Sequence, residues 1–121
     1  MELEIDSKLP IYIQLINYLK KKIISGEIKG GEKMPSVREF AGELKVNPNT
    51  VQRVYSELEG INLIFTKRGI GKYVTEDYKI INNIKKEMFN EVIDKFIKDS
   101  MELGFSKDEI IRNISERFKE D

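Results

Sequence analysis

The segment from Pro35 to Leu58, PSVREFAGELKVNPNTVQRVYSEL, constrains the fold more than any other part of the chain. It holds two short helical patterns joined by a tight turn. Ser36 followed by Glu39 forms a capping box, in which each side chain satisfies the other's backbone N–H, so a helix is predicted to begin at Val37. Phe40, Ala41 and Leu44 mark its buried side. Asn47 before Pro48 is a second start signal: asparagine accepts from a free amide of the first turn, and proline at the first helical position has no amide to leave unbonded. Val51, Val54, Tyr55 and Leu58 then recur at helical spacing and leave Asn49, Thr50, Gln52 and Arg53 on or near the outer side. Asn and Gln can bond adenine bidentately, Arg can bond guanine, and the Thr methyl can touch thymine. A polar N-terminal turn on a helix whose other face is held in a core is what a DNA-reading helix requires.

Composition narrows the alternatives. The chain has 121 residues, enough for one domain and an appendage, and no histidine or cysteine. Disulfides, thiolate nucleophiles, imidazole acid–base chemistry and the usual zinc ligand sets are therefore excluded. Lys and Arg number 21, as do Asp and Glu, so overall charge gives no support to nucleic-acid binding. Divided after Thr75, the first part carries 12 basic and 9 acidic residues (net +3) and the remainder 9 and 12 (net −3). The basic part contains the helix pair, as phosphate contact requires. The start, MELEIDSKLP, is acidic and does not resemble a signal peptide, and no apolar run approaches the roughly 20 residues of a membrane span. A cytoplasmic protein with no membrane partner is expected.

Along the chain, residues 2–6 alternate polar and apolar and predict a short strand. Pro10 opens a helix that runs to about Ser25 and stops at Gly26, with Ile11, Leu15, Tyr18, Leu19 and Ile23 as its buried stripe. Lys20, Lys21 and Lys22 fit a solvated helix end favoured by the macrodipole, with phosphate contact as the other reading. Gly30, Gly31 and Met34-Pro35 mark residues 26–35 as a turn-rich connector. Leu63–Thr66 and Lys72–Thr75 read as strands, and KRGIG between them supplies the glycines of a hairpin. Helix, helix–turn–helix and hairpin follow one another in the order of a winged helix–turn–helix.

From about Asp77 a long helix is predicted to end near Leu103, with Ile80, Ile81, Ile84, Met88, Val92, Ile93, Phe96, Ile97 and Met101 as a wide apolar band. Gly104 stops it, and Ser106 with Glu109 starts another, whose apolar side is Ile110, Ile111, Ile114 and Phe118. Two helices this apolar cannot easily bury their faces on each other alone. A homodimer is expected, with Ile84, Met88, Val92, Phe96, Ile110, Ile114 and Phe118 at its interface. The competing arrangement folds both helices back onto the winged domain.

With those pieces placed, the chain resembles the GntR family of bacterial transcriptional regulators and, within it, the YtrA-like subfamily. The resemblance rests on Pro10-Ile11-Tyr12, Gln14, Ser25-Gly26, Gly31, Met34-Pro35-Ser36-Val37-Arg38, Val46-Asn47-Pro48-Asn49-Thr50-Val51, Tyr55-Ser56-Glu57-Leu58-Glu59 and Thr66-Lys67-Arg68-Gly69-Ile70-Gly71. It covers residues 2–75 closely; the last two helices match the short appendage of the subfamily in length and layout. Asn62 departs from it, standing where the family usually has glycine, and asparagine tolerates the left-handed conformation that turn needs. The resemblance implies a mainly α fold with a small β-hairpin: a winged helix–turn–helix DNA-binding domain over residues 1–76 and a two-helix dimerisation region over 77–121. It also implies that Arg38 contacts phosphate or base and that Lys67, Arg68 and Gly69 reach the minor groove.

The expected DNA-binding set is Ser36, Arg38, Asn47, Asn49, Thr50, Gln52, Arg53, Lys67, Arg68 and Gly69. Local roles compete with several of these: a salt bridge to Glu39 or Glu43 for Arg38, a cap alone for Asn47, a turn towards the core edge for Arg53. The expected function is that of a transcriptional regulator, a repressor, bound as a homodimer to an inverted-repeat, double-stranded DNA operator. No cofactor is expected, and about 45 residues beyond the hairpin leave little room for a ligand domain, though an unidentified small-molecule effector stays open. A scaffold that had lost DNA binding would lack Arg38 and the hairpin charges. An enzyme is disfavoured by the absence of His, Cys and a Gly-rich phosphate loop.

Overall fold

The computed structural model describes residues 3–119. Helix α1 spans Ile11–Ile24, α2 Val37–Leu44 and α3 Pro48–Gly60; strands β1 (Ile64–Lys67) and β2 (Gly71–Val74) follow, then α4 (Tyr78–Glu102) and α5 (Lys107–Lys119). The chain divides into two compact units, Met1–Ile84 and Lys85–Asp121.

The first unit is organised around α3, which packs on α1, α2 and β1. Its inward residues Val51, Val54, Tyr55 and Leu58 are fully buried, as are Leu15 and Leu19 of α1, Phe40 of α2 and Leu63 before β1. Each such side chain contributes about 1.5–3 kcal/mol relative to exposure, so this small cluster holds three helices and the hairpin together. On α1 the buried stripe is Leu15, Ile16, Leu19 and Ile23. Ile11, expected inside, is 41% exposed, and Tyr18 is half-buried. Leu15, Leu19 and Ile23 are buried as expected, and Ile16 joins them.

Local signals set the helix ends. Ser36 Oγ accepts from Glu39 N–H at 3.1 Å and Glu39 Oε1 accepts from Ser36 N–H at 3.3 Å, completing the predicted box. The same exchange opens α5 between Ser106 and Glu109. Gly26 (φ +84°) follows the end of α1, and Gly104 (φ +94°) follows α4. At the end of α3, Asn62 adopts φ +62°, its N–H bonds Glu59 O at 2.9 Å, and Leu63 N–H bonds Leu58 O at 2.9 Å. Those two bonds are a Schellman ending, with buried Leu58 and Leu63 as its hydrophobic pair. Asn62 thus does the work of the glycine it replaces. The turn between α2 and α3 also uses a left-handed residue, Lys45 (φ +56°), which no local sequence signal announces.

The hairpin is antiparallel, pairing Ile64 with Val74 and Lys67 with Gly71, and its strands lie close to those predicted. The preceding connector is more than a turn. Gly31 N–H bonds Val74 O, Val74 N–H bonds Glu32 O, and Met34 N–H bonds Lys72 O, all within 2.8–2.9 Å. Residues 31–34 therefore lie along β2 as a third, short edge.

The strand predicted at residues 2–6 is absent over Leu3–Asp6; residue 2 lies outside the described residues. Asp6 pairs instead with one side chain: its N–H donates to Gln14 Oε1 at 2.8 Å, and Gln14 Nε2 donates to Asp6 O at 2.7 Å. A single amide of α1 thus satisfies both backbone groups of Asp6.

In α4, Ile81 and Ile84 are buried within the chain itself, so Ile84 differs from the other expected interface residues. Both isoleucines belong to the first unit; the second exposes many of its apolar side chains. No residue of α5 is buried, Val92 is 65% exposed and Phe118 75%. Phe96, Leu103, Phe105, Ile110, Ile114 and Phe118 border a groove of about 420 Å³ between α4 and α5.

Candidate nucleic-acid interface

The exposed side of the helix pair begins at the turn into α3. Asn47 Oδ1 accepts from Asn49 N–H at 2.8 Å, so its carbonyl serves the cap while its amide NH₂ stays available. Asn47, Asn49, Gln52 and Arg53 are exposed, and Thr50 is half-buried. Pro48 has no amide hydrogen, and the N–H groups of Asn49, Thr50 and Val51 all bond Asn47, so the donors this turn offers a ligand are those of its side chains. Gln52 Nε2 makes one long bond, 3.4 Å, to Ser56 Oγ.

Arg38 lies one position into α2 beyond Val37 and is exposed. Among the described residues it forms no ion pair, with Glu39 or Glu43 or any other acid. Glu39 is committed to the cap of its own helix. The helix pair is locked from behind by Tyr55, whose hydroxyl donates to Pro35 O at 2.7 Å and whose ring stacks on Phe40. Burial, then the charges of Glu39 and Glu43, raise its pKa above the usual tyrosine range, so it acts as a neutral strut.

Arg53 and Lys67 are held back by aromatic rings. The Arg53 guanidinium sits 4.0 Å from the centroid of Tyr12 on α1, and the Lys67 ammonium sits 4.3 Å from that of Tyr73 on β2. Neither contact consumes the hydrogen-bond donors, since a ring face attracts the charge as a whole. Arg68 and Gly69 form the exposed hairpin tip, with Gly69 at φ +79° where a side chain would be strained.

Sequence reasoning missed three participants. Glu59, Thr66 and Lys72 join the last turn of α3 to both strands of the hairpin: Thr66 Oγ1 donates to Glu59 Oε1 at 2.8 Å, and Lys72 pairs with the same oxygen. The Lys72 hydrogen bond, and with it the Thr66 bond and the Lys72 charge, outweigh partial burial and hold the Glu59 carboxyl below its usual pKa. Tyr12 as the seat of Arg53 was equally hidden. A cation and a ring so far apart in sequence carry no local signal.

The described residues contain no cluster of His, Cys, Asp or Glu that could hold a metal, and no helix long and apolar enough to cross a membrane. A helix pair with a polar leading turn, backed by α1 and flanked by a two-stranded hairpin with a basic, glycine-bearing tip, defines a winged helix–turn–helix DNA-binding regulator. Residues 11–74 match the family model of bacterial regulatory proteins of the gntR family. The chain belongs to the GntR family and is a DNA-binding transcriptional regulator, not an enzyme. It is 39% identical to the HTH-type transcriptional regulator YhcF of Bacillus subtilis over 94% of each chain. Identity to the transcriptional repressor YtrA of the same organism is 38%, over 91% of this chain and 85% of the repressor. The structure of a GntR family regulator from Listeria monocytogenes superposes with a TM-score of 0.86 at 39% identity, covering 93% of this chain and 98% of that one.

Proposed function

We propose that the chain is a repressor that binds an inverted-repeat operator as a homodimer in the cytoplasm. The observation that carries this reading is the exposed polar surface formed by Arg38 and the leading turn of α3, with Arg68 at the hairpin tip. In it, α3 enters the major groove: Asn49, Thr50 and Gln52 face base edges, and Ser36, Arg38, Asn47 and Arg53 meet the phosphates flanking them. Arg68 and Gly69 enter the adjacent minor groove, with Lys67 beside a phosphate. Residues 1–76 carry DNA binding and residues 77–121 dimerisation. The groove between α4 and α5 is assigned to a second copy, because its lining is mostly apolar, with Ser100, Asn113 and Arg117 as its polar members, and α4 exposes further apolar side chains at Val92 and Met101. An effector, where one acts, would shift the balance between dimer geometries that fit the operator and those that do not. The name of the YtrA relative supports repression.

The test is a gel-shift titration against a duplex selected from a random library by the wild-type chain, at several salt concentrations. Arg38→Ala and Arg68→Ala should each weaken binding by about 1–3 kcal/mol and flatten the salt dependence. Unchanged affinity in both variants at fixed salt would sink the assignment.

A further inference from the structure

Glu59 stands in the last turn of α3, and Thr66 and Lys72 are cross-strand partners on the hairpin. Thr66 Oγ1 donates to Glu59 Oε1 at 2.8 Å, Lys72 Nζ donates to Thr66 Oγ1 at 2.9 Å, and Lys72 also donates to Glu59 Oε1. One carboxylate oxygen therefore gathers a side chain from each strand. Among the described residues no other hydrogen bond joins α3 to β1 or β2. The strands are anchored at their base by buried Ile64 and Val74, whereas Thr66, Lys67, Arg68, Gly69 and Ile70 are exposed. The triad grips the hairpin at the point where the hydrophobic anchor ends. Glu59 also neutralises Lys72, so that lysine serves as a link and not as a phosphate ligand.

We propose that Glu59 is a positioning residue for DNA binding: through Thr66 and Lys72 it sets the pitch of the hairpin against α3, so that Arg68 and the leading turn of α3 reach one duplex at a fixed spacing. This rests on the reading of Arg68 as a DNA contact. Two contacts held at the right separation engage one duplex without a separate ordering cost for the second, and a hairpin free to swing forfeits that gain.

A double-mutant cycle with the full-length chain and the selected duplex tests it. E59A should weaken binding about three- to tenfold, the scale of one contact that must be ordered on binding. The same substitution in an R68A background should cost nothing further. Footprinting should show minor-groove protection lost while major-groove protection by α3 persists, and the charge-swapped E59K/K72E variant should regain affinity and minor-groove protection. Equal losses in both backgrounds, or no loss while R68A alone weakens binding, overturn the inference by itself. An R68A variant that binds like the wild type overturns the hairpin contact and this inference with it. Should E59A melt within the assay range, K72M cuts the same link from the hairpin side and enters the same cycle.

Discussion

The guanidinium of Arg53 lies 4.0 Å from the centre of the Tyr12 ring, which ties α3 to the first turn of α1. Tyr12 holds the arginine by its face and leaves its edge donors free, and the Tyr12 hydroxyl is buried with no hydrogen-bond partner among the described residues. The ring and the hydroxyl are therefore expected to have opposite effects. Tyr12→Leu should cost about 0.5–1 kcal/mol of stability for the lost cation–ring contact, and lower DNA affinity by freeing Arg53. Tyr12→Phe keeps the ring, removes an unpaired polar group, and should be neutral or stabilising. Urea unfolding of both variants decides: equal losses would show that the hydroxyl, not the ring, is what matters.

Tyr55 is the second expectation. Its hydroxyl bond to Pro35 O reaches across from α3 to the residue just before the cap of α2. Tyr55→Phe leaves that carbonyl without its donor in a part-buried site and should cost about 1–2 kcal/mol. Because burial raises the folded pKa above the unfolded one, the unfolded chain ionises first, so the Tyr55 contribution should be constant below the ordinary tyrosine range and the wild-type advantage over Tyr55→Phe should shrink as pH rises through and above it. Thermal melts of wild type and variant across alkaline pH check both statements.

Glu59 gives a signed pH dependence. Its folded pKa lies below the unfolded value, chiefly through the Lys72 hydrogen bond, so its contribution is fully present above the ordinary carboxylate range. It is lost as pH falls through the lower, folded value. The stability difference between wild type and Glu59→Gln should hold steady above about pH 5 and shrink on further acidification. A difference that grows on acidification would reverse the assignment.

The α4–α5 groove predicts assembly. Phe96→Glu and Phe118→Glu place a carboxylate among exposed apolar side chains and should yield monomers with helical content retained. Operator binding should then weaken on the order of a hundredfold, as two linked half-site contacts become independent. Sedimentation velocity with circular dichroism reads the first effect and gel shift the second. A wild-type chain that sediments as a monomer at working concentration would remove the dimer from the proposal.

Much of this molecule was determined by sequence alone, because the deciding interactions are local. Ser36 with Glu39, Asn47 with Asn49, and Ser106 with Glu109 place helix starts by bonds that span three residues or fewer. Helical spacing of Val51, Val54, Tyr55 and Leu58 assigned the buried face of α3 correctly, since one face of one helix meets the core. Only the tertiary structure decided what depends on distant partners. Residues 2–6 carry an alternating pattern, but Leu3–Asp6 form no strand, and the backbone of Asp6 is met by Gln14. Residues 31–34 read as a turn but line β2. Arg53 offers the same chemistry in any exposed helix; Tyr12 gives it a fixed seat. Glu59, Thr66 and Lys72 are ordinary polar residues until the hairpin folds against α3 and brings them to one oxygen. Periodicity and capping are written in neighbouring residues, whereas the position of a charge in space is set by whichever side chains the fold brings beside it.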